Sequence, residues 1–231
     1  MSKTWQRARR PEQKEERKSA ILAAAAQLLE QDGLAGTGIN AIARLSGISK
    51  PNIYRYFESS EAVLMQLLLD QHRSWARAFT RRLKQLDKGA DTDAIAAALV
   101  DTIARRPAYS VLLGAVASVL EHNVGVETII DYKRELRVEN QPVLAAFIEV
   151  MPGDLTRERA LNALAGLLMA ASGMWSHCNP APVTREALAQ PDLKPLRFQF
   201  KSLFRDHAAA LLRGLAIEAE QQHQQESGDP G

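Results

Sequence analysis

The chain has 231 residues and a mass of 25.5 kDa, with 46% hydrophobic and 24% charged residues, which excludes disorder, collagen-like repetition and low complexity as its main character. Thirteen Gly, ten Pro and only 6% aromatic residues, against abundant Ala and Leu, favour an all-α fold of one domain or two small ones. The formal charge of +2 hides an asymmetry, because residues 1–60 hold ten Lys/Arg against six Asp/Glu while the remainder holds nineteen against twenty-one. A basic front on a nearly neutral body suits either a polyanion partner for the N-terminal part or a solubilising tail.

Residues 1–14 are polar and basic, with Trp5 among Arg7, Arg9 and Arg10, and are expected to form a flexible arm. From Glu15 a helix is predicted by the spacing of Ile21, Leu22, Ala25, Leu28 and Leu29, with Gly33 as its stop. Two short apolar segments follow, 39–45 and 53–57, separated by Ser46-Gly47-Ile48-Ser49. After Glu58-Ser59-Ser60 a long helix carries Leu64, Leu68, Trp75, Phe79, Leu83 and Leu86 on one stripe and breaks at Gly89. Further helices are predicted over 91–105, 108–122, 127–150, 155–177 and 198–222, with a kink or break at Pro142 and a flexible tail over 223–231. The domain boundaries implied are 15–58 and 59–222. The longest apolar stretch, 160–175, is about 16 residues, short of the roughly 20 that span a bilayer. The charged N-terminus lacks the apolar segment of a secretory signal. The lone Cys178 excludes a disulfide framework and any Cys-rich zinc site. A cytoplasmic chain with no membrane segment, cofactor or metal is expected.

The segment 38–57 carries the most information. A tight turn between two short helices needs a small residue on the first, a Gly where φ is positive, and apolar side chains that lock the pair. Ala43, Gly47 and the set Ile39, Ile42, Ile48 and Ile53 supply these in that order. This is the logic of a helix-turn-helix, whose second helix enters the major groove. Ser49 is a natural N-cap, and with Pro51 in the first turn its hydroxyl is expected to accept from the Asn52 amide. Lys50, Pro51 and Asn52 then lie at the leading end, where Lys50 can address guanine and Asn52 adenine. Tyr54, Arg55 and Tyr56 stand where phosphate oxygens would run. An ordinary helical hairpin with a solvated face is the plainer alternative.

The run from Ile21 to Leu64, and within it Ile42-Ala43, Gly47-Ile48-Ser49 and Ile53-Tyr54-Arg55-Tyr56-Phe57, resembles the N-terminal domain of the TetR family of transcriptional regulators. The resemblance implies an all-helical, Ω-shaped homodimer with a three-helix helix-turn-helix domain and a larger C-terminal domain for ligand binding and dimerisation. Two departures stand out. Gly38 occupies the start of the second helix where the family usually has Thr or Ser, and Ser60 replaces a common Lys early in the fourth. Phosphate contact is therefore expected to rest more on Thr37, Tyr54, Tyr56 and the arm.

The helix over 155–177 is apolar nearly all round, so it needs cover on two sides, and Gly166, Ala170 and Gly173 form a ridge that permits close approach. Together with the stripe Phe200, Phe204, His207, Leu211 and Leu215 it is expected to build a homodimer through a four-helix bundle; a monomer that engulfs the first helix is the alternative. Candidate liners of a pocket for an unknown small-molecule effector are Trp75, Tyr109, His122, Met169 and Trp175, although each alone reads more readily as core than as a ligand contact. The reading is a ligand-responsive repressor of a palindromic double-stranded DNA operator, with no catalytic site. The alternatives are an effector-independent dimeric regulator and a helical enzyme. The enzyme lacks support: no phosphate loop, zinc-protease signature or nucleophile elbow occurs in the chain.

Overall fold

The computed structural model describes the backbone of residues 4–227 and the side chains of residues 12–221. Among these residues there are ten α-helices, two 3-10 turns and no strand. The chain divides into two compact units. The first comprises Met1–Asp70 and Ala115–Glu135, and the second Gln71–Gly114 and Leu136–Gly231.

In the first unit, α1 spans Thr4–Gly36. It starts well before Glu15, so most of the segment expected as an arm is helical. The helix-forming Arg, Gln, Glu and Lys of that segment explain the extension; the side chains of Trp5, Arg7, Arg9 and Arg10 lie outside the described residues. Gly33 breaks the helix as expected, with φ 68° and ψ −170°. Helix α2 follows over Ile39–Ser46 and α3 over Lys50–Ile53. Gly38 caps α2 in an extended conformation without a side-chain bond, and Gly47 ends it in the left-handed region, with φ 68° and ψ 10°. That conformation carries the turn. Ile42 and Ile53 are fully buried with Ile21, Ala25, Phe57 and Val63, and Ile39, Ala43 and Ile48 pack against the same cluster. The Ser59 hydroxyl accepts from the Ala62 amide (3.1 Å) at the start of α4, Ser60–Leu83.

The second unit contains the later half of α4, then α5 (Thr92–Ala104) and α6 (Pro107–Ala115, its last residue in the first unit). The expected helix over 108–122 ends at Ala115, and a 3-10 turn over Leu120–Asn123 leads to α7, Val126–Val150. Pro142 lies inside α7 without ending it. It is exposed, as is Val138, whose carbonyl loses the amide partner and can turn to water instead. Helix α8 spans Arg157–Cys178, with Thr156 capping the Arg159 amide. The 180–195 region, expected as a separator, holds a short α9 (Pro182–Ala187) and the start of a 3-10 turn (Pro191–Leu196). Helix α10 runs Phe200–Ser227, beyond the expected end.

Trp75 stacks on Phe79 (5.4 Å between centroids) and on Tyr109 (5.8 Å), and α10 packs on α5 and α8. The buried stripe of α10 is Phe200, Phe204, Ala208, Leu212 and Ala216. His207 and Leu211, expected on that stripe, are exposed, because two adjacent stripes of this Ala- and Leu-rich helix satisfy the same periodicity. Helix α8 likewise keeps one bare face: Leu161 and Met169 are exposed, and a Cβ added at Gly166 or Gly173 would meet nothing.

Two changes test the first unit's core. Ile42→Ala should cost about 2–5 kcal/mol through the cavity left behind, and Gly47→Ala about 1–3 kcal/mol through the left-handed backbone. Urea denaturation of the purified protein measures both.

Candidate nucleic-acid interface

The α2–α3 turn fixes which side chains α3 presents. Lys50, Pro51, Tyr54 and Arg55 are exposed, while Asn52 and Tyr56 are half-buried. Regular helix ends at Ile53, but the Tyr54 amide still donates to the Lys50 carbonyl (3.0 Å) and Phe57 to Ile53 (3.1 Å), so the helical course continues beneath Tyr54 and Arg55. The Asn52 amide is capped by the carbonyl of Ser49 (2.8 Å), and the Ser49 side chain makes no cap bond. The expected hydroxyl cap is thus replaced by a tight backbone turn.

Thr37 is not available to a phosphate. It is 1% exposed, and its hydroxyl donates to the Gly33 carbonyl (2.8 Å), closing the end that Gly33 opens. What faces α3 instead lies upstream. An open cleft of about 650 Å³ is lined by Gln13, Lys14 and Arg17 of α1 together with Arg55 and Tyr56. Lys14 ends the segment expected as a phosphate-contacting arm, whereas sequence reasoning misses Arg17 when it follows the apolar stripe of the first helix alone; its i,i+3 spacing from Lys14 on a helix extended upstream is the available signal. Lys18, beside them, donates to Gln66 (3.2 Å) and lies 5.9 Å from the Phe57 ring centroid, tying α1 to α4. Glu58 accepts from the Thr128 hydroxyl (2.6 Å) and the Gly125 amide (2.8 Å), which together hold its carboxyl below the usual carboxylate range.

The five residues expected around an effector are not gathered together. Trp75 and Tyr109 are buried side by side in the second unit. Trp175 is half-buried and packs edge-on against Phe200 (4.9 Å), while Met169 is 70% exposed. His122 is exposed in the 3-10 turn of the first unit. The histidine that joins Trp75 and Tyr109 is His72, which no local motif marks. Its Nε2 is 2.9 Å from Asn140 Oδ1, which can only accept, so Nε2 carries the proton and Nδ1 accepts from the Tyr109 hydroxyl (2.8 Å). Burial is the main reason the ring's pKa falls from 6.5 to about 4, outweighing the Asn140 bond. Nearby, Trp75 Nε1 and Ser110 Oγ are buried with no partner among the described residues. Cys178 is half-buried, and burial pushes its thiol up, away from a reactive thiolate.

The N-terminal domain of "Bacterial regulatory proteins, tetR family" matches residues 21–67, and the "Tetracyclin repressor-like, C-terminal domain" matches residues 69–219, well over half the chain. The chain belongs to the TetR family. Its N-terminal part is thus the domain shared by a family of bacterial regulatory proteins. The HTH-type transcriptional regulator EthR of Mycobacterium tuberculosis is 48% identical over 54 residues, covering 23% of this chain and 25% of EthR. RutR of Escherichia coli is 44% identical over 52 residues, 22% of this chain and 24% of RutR. These curated relatives are thus matched over about a quarter of their length. Among solved structures, the fatty acid degradation regulator FadR of Bacillus halodurans superposes with TM-score 0.56 at 18% identity, covering 86% of this chain and 96% of that one. FadR of Bacillus subtilis, solved with stearoyl-CoA, gives 0.52 at 14% identity, with coverage of 84% and 96%. Both support the fold. No helix among the described residues is long and apolar enough to cross a membrane.

The His72 environment gives a signed pH dependence. The folded state prefers the neutral ring, so its full stability is present above about pH 6.5 and is lost progressively toward pH 4 as the unfolded chain alone takes the proton. The loss should be on the order of 3 kcal/mol, measured by denaturation across that range, and His72→Gln should flatten it.

Proposed function

We propose that this TetR-family regulator is a ligand-responsive repressor that binds a palindromic operator as a homodimer and is released by a small-molecule effector. The observation that carries the DNA-reading part is the exposed edge Lys50–Tyr54 held over a fully buried Ile42–Ile53 pair, because a reading helix needs a polar tip on a rigid base. In this reading Lys50 and Asn52 address base edges, and Tyr54, Arg55, Tyr56, Lys14 and Arg17 address phosphates. Pro51 shapes the tip, and Thr37 acts only through the turn it closes.

Dimerisation is supported by the bare faces of α8 and α10. Leu161, Met169, Leu211 and Ile217 are exposed apolar side chains, and Gly166, Gly173 and Gly214 each leave open space above them. A second copy of the same face covers both helices at once, as an isologous contact requires. It would set two reading helices about 34–36 Å apart.

Ligand response is supported by the His72–Tyr109–Asn140 cluster with the unpartnered Trp75 Nε1 and Ser110 Oγ beside it. Unsatisfied buried donors cost roughly 1–3 kcal/mol each, which an effector supplying acceptors would offset. Helix α4 belongs to both units, so a shift of its second half is carried by continuous backbone toward the reading end. A coupling of about 1–3 kcal/mol changes operator occupancy roughly 5–150-fold. The Bacillus subtilis FadR neighbour, solved with stearoyl-CoA, is an instance of this fold holding a ligand.

Selection of bound fragments from genomic DNA, followed by titration on the selected palindrome, tests this reading. Affinity should fall linearly with log salt. Arg17→Ala and Arg55→Ala should each reduce that slope by about one. Tyr54→Phe should weaken all sequences alike, whereas Asn52→Ala should relax discrimination at one base position per half-site. For the dimer, Met169→Glu with Ile217→Glu should give a folded monomer in sedimentation and lose the palindrome's cooperative affinity. Salt-insensitive binding, or a wild-type chain that is monomeric at every concentration, overturns the proposal.

A further inference from the structure

The second half of α4 and the last turns of α5 enclose a cleft of about 450 Å³ in the second unit, and its charge is one-sided. Arg81 and Arg82 reach it from α4, and Arg105 and Arg106 from the end of α5. Its one acid, Asp101, is already paired with Lys201 at 3.3 Å. Arg106 serves the packing of the two helices. Its Nη1 donates to the Thr102 carbonyl (2.6 Å) and its Nη2 to the Ser74 carbonyl (3.2 Å), clamping α5 to α4. The other three differ. The side chains of Arg81, Arg82 and Arg105 are exposed, and none of these guanidinium groups makes a hydrogen bond or ion pair with another described residue.

A cation near a helix C-terminus is favourable, and that accounts for part of this charge. Four guanidinium groups around one cleft exceed this, and like charges so placed repel. The Arg106 guanidinium registers the crowding: burial first, then the charges of Arg81 and Arg105, hold it below its usual value. Each guanidinium fork matches two oxygens of a phosphate, so three free forks suit adjacent phosphates better than one isolated anion. Gln71 and Gln85 add neutral donors at the rim. The lining has no aromatic ring and only Ala78 as an apolar side chain, so it offers no apolar wall for an acyl chain. The volume is in the range of small-molecule sites.

We propose that the α4–α5 cleft binds the diphosphate portion of a small soluble metabolite through Arg81, Arg82 and Arg105. This site is separate from the buried His72 cluster, and only its regulatory meaning rests on the ligand-response reading. An anion there neutralises charge on the part of α4 that belongs to the second unit, and so gives that unit a ligand-dependent state.

Inorganic diphosphate is the probe, titrated calorimetrically into the full-length protein without DNA, against sodium chloride at matched ionic strength. Saturable binding is expected, with inorganic phosphate weaker. The dissociation constant should rise about tenfold or more in Arg81→Ala/Arg105→Ala, which removes two charge-assisted contacts. Arg82→Glu should abolish binding. All three residues are exposed, and unchanged circular dichroism and operator affinity confirm the fold of each variant. Binding that is unaffected by these changes, or no binding beyond the chloride control, overturns the site while leaving the operator-binding reading intact. If the variants instead weaken DNA affinity and diphosphate does not bind, the cleft serves the duplex and the proposal also fails.

Discussion

The helix-turn-helix depends on one backbone conformation. At Gly47 the chain adopts φ 68° and ψ 10°, a region that costs an L side chain free energy and glycine almost none. That turn brings Ile53 of α3 into the cluster that holds Ile42 of α2, and both are fully buried. Once Ile53 is inside, the helical spacing leaves Lys50, Pro51 and Tyr54 outside. The polar tip is therefore a consequence of the apolar lock. Thr37 strengthens the same arrangement from the other side by bonding the Gly33 carbonyl where α1 breaks.

The second unit is built on a different balance. Its core contains aromatic stacking around Trp75, Phe79 and Tyr109, yet it also buries His72, Asn140 in part, and three polar atoms, Trp75 Nε1, Thr80 Oγ1 and Ser110 Oγ, with no partner among the described residues. A core chosen for stability alone would have no such groups, since apolar replacements of similar shape avoid the desolvation cost. On the proposed reading, a domain that responds to a ligand has a physical reason to keep them. The bare faces of α8 and α10 make the same point at the surface, because exposed Leu161, Met169, Leu211 and Ile217 are costly to leave in water.

Legibility followed the range of the interaction. The turn at Gly47, the break at Gly33 and the burial of Ile42 and Ile53 are readable because each depends on residues a few positions apart. Thr37 reads as a phosphate ligand, yet its partner is the carbonyl of Gly33, because sequence shows that a hydroxyl is present but not where it points. Arg17 escapes notice for a similar reason: a polar helical turn has no apolar stripe to announce it.

By itself the sequence determined the helical class, the helix-turn-helix and the family, since periodicity, glycine placement and local motifs are properties of neighbouring residues. Only the tertiary structure decided that His72 joins Tyr109 and Asn140 across 37 and 68 positions. It likewise decided that Met169 faces outward and that four arginines from two helices share one cleft. Those outcomes depend on which faces of separate helices meet, and any of several rotations of a helix rich in Ala and Leu satisfies its pattern equally well.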